Sequence, residues 1–357
     1  MNPRSMTLRH LARARSPLRV PALRGRHSSR AARFAWTAPR ATYVICTTPR
    51  SGSWLLSDGL SSTGVAGRPR EWFNVLEEQQ HYARWRMAHD TDLGFHRYLQ
   101  LARLHSTTRN GISGIKLHYY QFAGLPDRFS LFPGLRGLTP DQLLTRLFPN
   151  SKYIWLTRRD KVRQAVSFLL ASTTDVWWNV AGTPSGRRAA SDREPTFDAA
   201  AIERMVRVFT RNDARWQNVF ENHGIEPYVV QYDDLAADYE GSIAGVLRWL
   251  GVPDADAVTI PAARLERQSD ARNEQWAARY EAERSESPPA TPEPDTSVDP
   301  QRARIRRLFA TIPPAWRQWI VQSKRRAVPD DEIVSVLTRH GYSRGIARSE
   351  IERLTAG

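Results

Sequence analysis

Residues 42 to 60, TYVICTTPRSGSWLLSDGL, decide the fold. Tyr43 to Cys46 are apolar or β-branched, as a strand buried on both faces requires, and Ser53 to Leu60 carries apolar residues spaced for one face of a helix. Between them, Thr47-Thr48-Pro49-Arg50-Ser51-Gly52-Ser53 predicts a short loop joining strand to helix. Such a loop points successive backbone N–H groups into one concavity. It also adds the positive end of the helix dipole, and Gly52 lets main chain approach an oxyanion closely. Arg50 supplies a positive charge. An ordinary βα connection is the plainer alternative, but Arg50, two hydroxyls and a glycine within four residues favour an anion ligand. The nucleotide-triphosphatase loop GxxxxGK(S/T) is not matched, since its first Gly and its Lys are missing, and this weakens an ATPase reading.

Outward from this stretch the chain alternates strands and helices. Gly111 to Tyr120, Lys152 to Leu156 and Pro227 to Tyr232 predict three further strands. Residues 75 to 106, Thr139 to Phe148, the segment after Leu156, Phe197 to Asn222 and residues 239 to 251 predict helices. Thr139 is a natural cap with Pro140 in the first turn, and Gly251 a natural stop. The expected fold class is α/β, a three-layer parallel sheet flanked by helices and P-loop-like at its first turn, with a small helical appendage at the C-terminus. The expected organisation is a disordered basic extension over 1–40, a main domain over 41–282, a Pro-rich linker over 283–300 and a basic helical appendage over 301–357.

The formal charge of +15 is concentrated at the ends. Residues 1 to 40 hold ten Arg and no acid, and residues 301 to 357 hold twelve Lys or Arg against five acids, which leaves residues 41 to 300 at −2. An anion site in the central domain must therefore come from local placement of charge. The single cysteine, Cys46, excludes an intrachain disulfide and multi-Cys metal sites, and it fits a reducing, cytoplasmic setting. No apolar run is long enough to span a membrane. The Arg-rich start lacks the apolar segment of a secretory signal; it has the composition of a transit peptide, as would an over-extended reading frame.

Four motifs then carry a resemblance: RSGSWLL at 50–56, TGVAGRPREWF at 63–73, LTRRDKVRQAVSF at 156–168 and LERQSDARNEQWAARY at 265–280. In this order and spacing the chain resembles the actinobacterial trehalose 2-sulfotransferases and related carbohydrate sulfotransferases. The resemblance implies 3′-phosphoadenosine 5′-phosphosulfate as donor, a carbohydrate or glycolipid acceptor and a homodimer; no metal is expected, since Arg50 and the helix terminus supply the positive field and no His/Asp cluster has ligand spacing. It places Arg50, Ser51, Gly52, Ser53 and Trp54 around the 5′-phosphosulfate, and Arg158 with Ser167 at the 3′-phosphate. A guanidinium fork suits a phosphate; the plainer alternative pairs Arg158 with Asp160. Arg267 and Gln268 either close over the donor or lie on a solvated helix face.

A sugar hydroxyl needs a base, and the resemblance gives that role to Glu71. Trp72 and Phe73 beside it predict desolvation and a raised pKa, whereas Arg68 and Arg70 predict a lowered one; an ordinary solvated loop glutamate is the alternative. His118 is the second candidate base, or a buried structural histidine. Lys116 either meets the sulfonate or snorkels from its strand. Arg68 and Arg70 stand where the trehalose enzymes carry an acid and a polar amide, which leaves the acceptor open to an anionic or otherwise different sugar. Trp177 and Trp178 form a sugar platform or pack as core. Two other classes remain: a nucleic-acid-binding protein that uses the basic ends, with Asp330 to Leu354 as a weak helix-turn-helix, and a Mg²⁺-dependent nucleotide phosphotransferase.

Overall fold

The first strand, β1 (Ala41–Thr47), lies inside a four-stranded sheet, because its side chains are apolar on both sides. In the computed structural model the sheet order is β2 (Ile112–His118), β1, β3 (Lys152–Thr157), β4 (Tyr228–Gln231), and every pair is parallel. The structure describes residues 39–87, 92–129, 132, 134–174, 176–177, 194–264, 271–286, 314–325, 328–339 and 344–355. The basic extension up to residue 38, Arg267, Gln268, Trp178, Gly341 and nearly all of the Pro-rich segment lie outside the described residues.

Alternate residues of the strands feed two cores. Val44, Cys46, Ile115 and Leu117 pack on one face with α2 (Val75–Arg84), α3 (Asp92–Ser106), α4 (Tyr119–Ala123), α5 (Leu125–Phe129), α6 (Pro140–Leu147) and the C-terminal half of a long helix, α8 (Ala199–Asn222). Tyr43, Ile45, Ile154, Leu156 and Val230 pack on the other with α1 (Ser53–Ser62), α9 (Tyr232–Ala237) and α10 (Tyr239–Leu250). The result is the helix–sheet–helix sandwich expected. Each fully buried aliphatic or aromatic side chain here contributes about 1.5–3 kcal/mol. A third cluster joins α7 (Lys161–Thr174) and α8 to α11 (Ala271–Glu286) through Val166, Ile202, Phe209, Trp276 and Tyr280. Near the end of the chain, α12 (Pro314–Arg325), α13 (Asp330–Arg339) and α14 (Arg344–Thr355) share a core of Ile320, Ile333, Val334, Leu337, Ala347 and Ile351. No described helix is long and apolar enough to cross a membrane.

Local chemistry sets the boundaries. Thr139 and Gln142 form a reciprocal capping box at α6, and Gly251, at φ 75°, terminates α10. Two strands end sooner than their sequences predict. β2 stops at His118 rather than Tyr120, because the Gln121 side chain accepts the His118 N–H (3.0 Å) and opens α4. β4 stops at Gln231 because Tyr232 starts α9, whose first turn carries Asp233 and Asp234 at the positive end of the dipole.

Between α2 and α3, His81 is stacked between Trp72 (5.1 Å) and Trp85 (4.8 Å), and Trp85 stacks on His105 (5.1 Å). Burial, followed by the charges of Arg70, His105 and Arg84, lowers the His81 pKa to about 4. An unfolded histidine titrates at about 6.5, so below that pH the unfolded chain binds a proton that the folded one refuses. Stability therefore falls as pH drops from about 6.5 towards 4. Replacing His81 by Phe keeps an aromatic in the stack and removes this dependence. Urea midpoints at neutral pH and at about pH 4.5 should differ less in the variant than in the parent, and an equal difference would assign the acid sensitivity elsewhere.

Candidate active site

All four strands are parallel, so their C-terminal ends share one edge, and the chain runs from β1 to β2 on one side of the sheet but from β3 to β4 on the other, which puts the switch point between β1 and β3. Ligands of open α/β sheets bind at such a switch point. The loop after β1 is held open there by left-handed backbone at Arg50 (φ 64°) and Gly52 (φ 82°). A Cβ at position 52 would run into the Tyr232 ring, so glycine is required on both counts. Helix α1 starts at Gly52 with no side-chain cap, and the N–H groups of its first turn have no intrahelical acceptor. The Ser51 hydroxyl, by contrast, is used within the loop: it donates to the Thr48 carbonyl (2.8 Å) and lies 2.6 Å from Thr47 Oγ1. What the loop presents to an anion is thus main chain and Ser53 more than Ser51.

Arg50 donates from Nε to Ser167 Oγ (2.9 Å) on α7 and from Nη1 to the Trp177 carbonyl (2.5 Å). Burial, and then the neighbouring Arg158, lower its pKa to about 10, which leaves it charged at neutral pH. Arg158, just past β3, lies over the Tyr232 ring (4.6 Å). Asp160 turns to Arg163 instead (2.8 Å). Arg50, Arg158 and Ser167 therefore converge from the loops after β1 and β3, with Tyr232 from the end of β4 beneath them.

Glu71 sits at the end of the edge strand β2, only 6% exposed, and is held by four donors. Oε1 receives Lys116 Nζ (3.0 Å) and His118 Nε2 (3.2 Å); Oε2 receives Gln121 Nε2 (2.7 Å) and Asn74 Nδ2 (2.8 Å). Burial alone raises a carboxyl pKa, as the Trp72-Phe73 pair predicts, but the charges of Lys116 and His118 and the hydrogen bonds reverse it. The Glu71 carboxyl is held well below the usual range, which corrects the expectation of a raised value. Arg68 and Arg70 are not the cause. In the extended run from Arg68 to Glu71, Pro69 and Glu71 are buried while both arginines are exposed, and Lys116 N–H donates to the Arg70 carbonyl (3.0 Å). Trp72 packs on His81 and Phe73 on Phe129 and Phe148, so both rings are also part of the core. His118 keeps its other nitrogen, Nδ1, buried and without a partner among the described residues.

Lys116, 1% exposed, links the two halves: its ammonium touches Glu71 and stands 4.3 Å over the ring of Trp54, in the first turn of α1. The structure thus brings Arg50, Ser53, Trp54, Glu71, Lys116, His118, Arg158 and Ser167 to one edge of the sheet. Trp177 contributes its carbonyl, while its ring packs edge-on against Phe168 (5.8 Å). Arg68 and Arg70 lie on the outer side. Sequence reasoning missed Asn74, Gln121, Gln164, Tyr232 and above all Asp213. A polar Asn212-Asp213 pair in the middle of the apolar stripe of α8 was the available signal.

The family model for the Stf0 sulphotransferases matches residues 42–283. The chain is 31% identical over 265 residues to trehalose 2-sulfotransferase of Mycobacterium tuberculosis (strain ATCC 35801 / TMC 107 / Erdman), covering 68% of this chain and 94% of the relative. It is 30% identical over 261 residues to trehalose 2-sulfotransferase of Mycolicibacterium smegmatis (strain ATCC 700084 / mc(2)155), covering 67% of this chain and 93% of that one. The matched region contains all of the sheet but its first residue, Ala41, and every side chain of the site just described, and the chain belongs to the Stf0 sulphotransferase family.

Proposed function

We propose that the protein transfers the sulfuryl group of 3′-phosphoadenosine 5′-phosphosulfate to a hydroxyl of a carbohydrate or glycolipid, trehalose being the first acceptor to test. The observation that carries this reading is Lys116. One buried ammonium joins a buried carboxylate to the first turn of an uncapped helix, which sets a proton acceptor beside an anion cradle. Sulfuryl transfer, by analogy with phosphoryl transfer, goes through a loose transition state with charge building on the leaving phosphate. The amides opening α1, Ser53 and Arg50 hold that 5′-phosphate and meet the charge without reorganising. Arg158, with Ser167, holds the 3′-phosphate. Two mutually repelling guanidiniums and an uncapped helix end fit a ligand with several negative charges.

Glu71 takes the acceptor proton. It is ionised at neutral pH, and the acceptor hydroxyl enters by replacing one of its four donors. A weak base suffices, because the hydroxyl proton becomes strongly acidic as the new S–O bond forms. Lys116 and His118 hold the carboxylate in place and screen it from bulk water. A cytoplasmic location and a homodimer belong to the same proposal. The single cysteine, Cys46, is wholly buried in β1 and compatible with a reducing compartment.

A thermal-unfolding assay tests the donor without knowledge of the acceptor. Adenosine 3′,5′-bisphosphate at about a hundred times its Kd should stabilise by about 2.7 kcal/mol, a rise of about 5 °C or more for a domain of this size. Adenosine 5′-phosphate, or ATP with Mg²⁺, should do much less at the same concentration. No shift, or a preference for ATP with Mg²⁺, would overturn the reading.

A further inference from the structure

The ladder between β1 and β3 ends at the pair Thr47–Leu156, just short of the two loops that face the proposed donor. The next residue on each side, Thr48 and Thr157, is joined by a side chain from elsewhere. Asp213, buried on α8, accepts from Thr48 Oγ1 (3.5 Å) through Oδ1 and from Thr157 Oγ1 through Oδ2. The same Oδ2 receives Lys161 Nζ (2.6 Å), which also reaches Thr157 Oγ1 (3.3 Å). Gln164 on α7 donates to Thr48 Oγ1 (2.9 Å) and to the Pro49 carbonyl (2.7 Å). One turn along α8, Trp216 donates its indole N–H to the Thr47 carbonyl (3.0 Å).

We propose that Asp213 is a positioning residue that fixes the separation of the two donor loops, and thereby the preference for a nucleotide with phosphates at both the 3′ and 5′ positions. The proposal rests on the donor reading above. Thr48 is two residues before Arg50 and Thr157 immediately precedes Arg158, so the carboxylate acts as an added rung between the residues that grip the two phosphates. A buried ion pair is seldom the most stable filling for such a place, and apolar residues of similar volume often do as well or better. What a carboxylate supplies here is direction: two loops and one ammonium are tied to a single planar group on a rigid helix. A ligand that bridges the loops depends on their spacing, whereas a ligand held by one loop does not.

The test is isothermal titration of the full chain with adenosine 3′,5′-bisphosphate and with adenosine 5′-phosphate, in the parent and in Asp213→Asn. The ratio of the two dissociation constants should shrink by about tenfold in the variant, nearly all of it from weaker bisphosphate binding. Thr48→Val cuts the arm to the first loop together with the Gln164 bond to the same hydroxyl, keeps the Asp213–Lys161 pair, and should lower the ratio in the same direction by about threefold. If Asp213→Asn does not fold, Thr48→Val decides the matter alone. An unchanged ratio, or equal weakening of both nucleotides, would mean that Asp213 merely stabilises the domain and would overturn the proposal. A parent that shows no preference for the bisphosphate would instead sink the donor reading, and this proposal with it.

Discussion

Replacing Glu71 by Gln lowers turnover by about 10²- to 10⁴-fold, the scale on which general bases act, and leaves the affinity for adenosine 3′,5′-bisphosphate essentially unchanged. The amide has the shape of the carboxylate but cannot take a proton at neutral pH. It also leaves the Lys116 ammonium, 1% exposed, without its counter-charge, and breaking a buried pair in this way costs about 3 kcal/mol. A fall in stability therefore accompanies the fall in rate, and the two must be separated. The double variant Glu71→Gln with Lys116→Met buries no charge at this point. It should recover most of the thermal midpoint and none of the turnover. Lys116→Met alone removes the strongest positive neighbour of Glu71, so the carboxyl pKa rises, and the acid limb of the kcat/KM profile moves to higher pH. Near-normal turnover in Glu71→Gln would remove this residue from the chemistry and pass the role to His118, whose buried Nδ1 has no hydrogen-bond partner among the described residues.

The contrast between what was legible in the sequence and what was not follows the range of the forces. The strand, loop and helix at residues 41–62 could be read because Tyr43 to Cys46 are apolar on both faces and Gly52 sits where only glycine fits. The boundaries at His118 and Gln231 were misread because a cap three residues on, or an acidic first turn, decides them against β propensity. The identity of Glu71 was legible but its ionisation was not. Its partners Lys116, His118 and Gln121 lie 45 to 50 positions away, and the neighbours that sequence offered, Trp72 and Phe73, pack into the core. Asp213 was hidden for a related reason. At four residues past Phe209 and three before Trp216 it occupies the buried stripe of α8, where an amphipathic pattern expects an apolar side chain and a carboxylate has meaning only once two loops are seen to meet it.

Arg158→Ala should weaken adenosine 3′,5′-bisphosphate by about a hundredfold, as expected when a half-buried guanidinium that grips a phosphate is removed. Adenosine 5′-phosphate should lose far less, because Arg158 is assigned to the other end of the ligand. Arg158→Lys restores charge but not the planar fork, nor the stacking on Tyr232 that fixes its direction, and should recover only part of the loss. Arg50→Ala is expected to behave differently. Arg50 belongs to the loop after β1 yet donates to Ser167 on the helix after β3, so it spans both ends of the site and its loss should weaken both nucleotides. The comparison separates two pictures of the same arginine pair. If each phosphate has its own guanidinium, the two alanine variants differ in selectivity, with Arg158→Ala eroding the preference for the bisphosphate and Arg50→Ala preserving it. If the pair acts as one undivided positive patch, both variants weaken both nucleotides by similar factors, and the assignment of Arg158 to the 3′-phosphate fails.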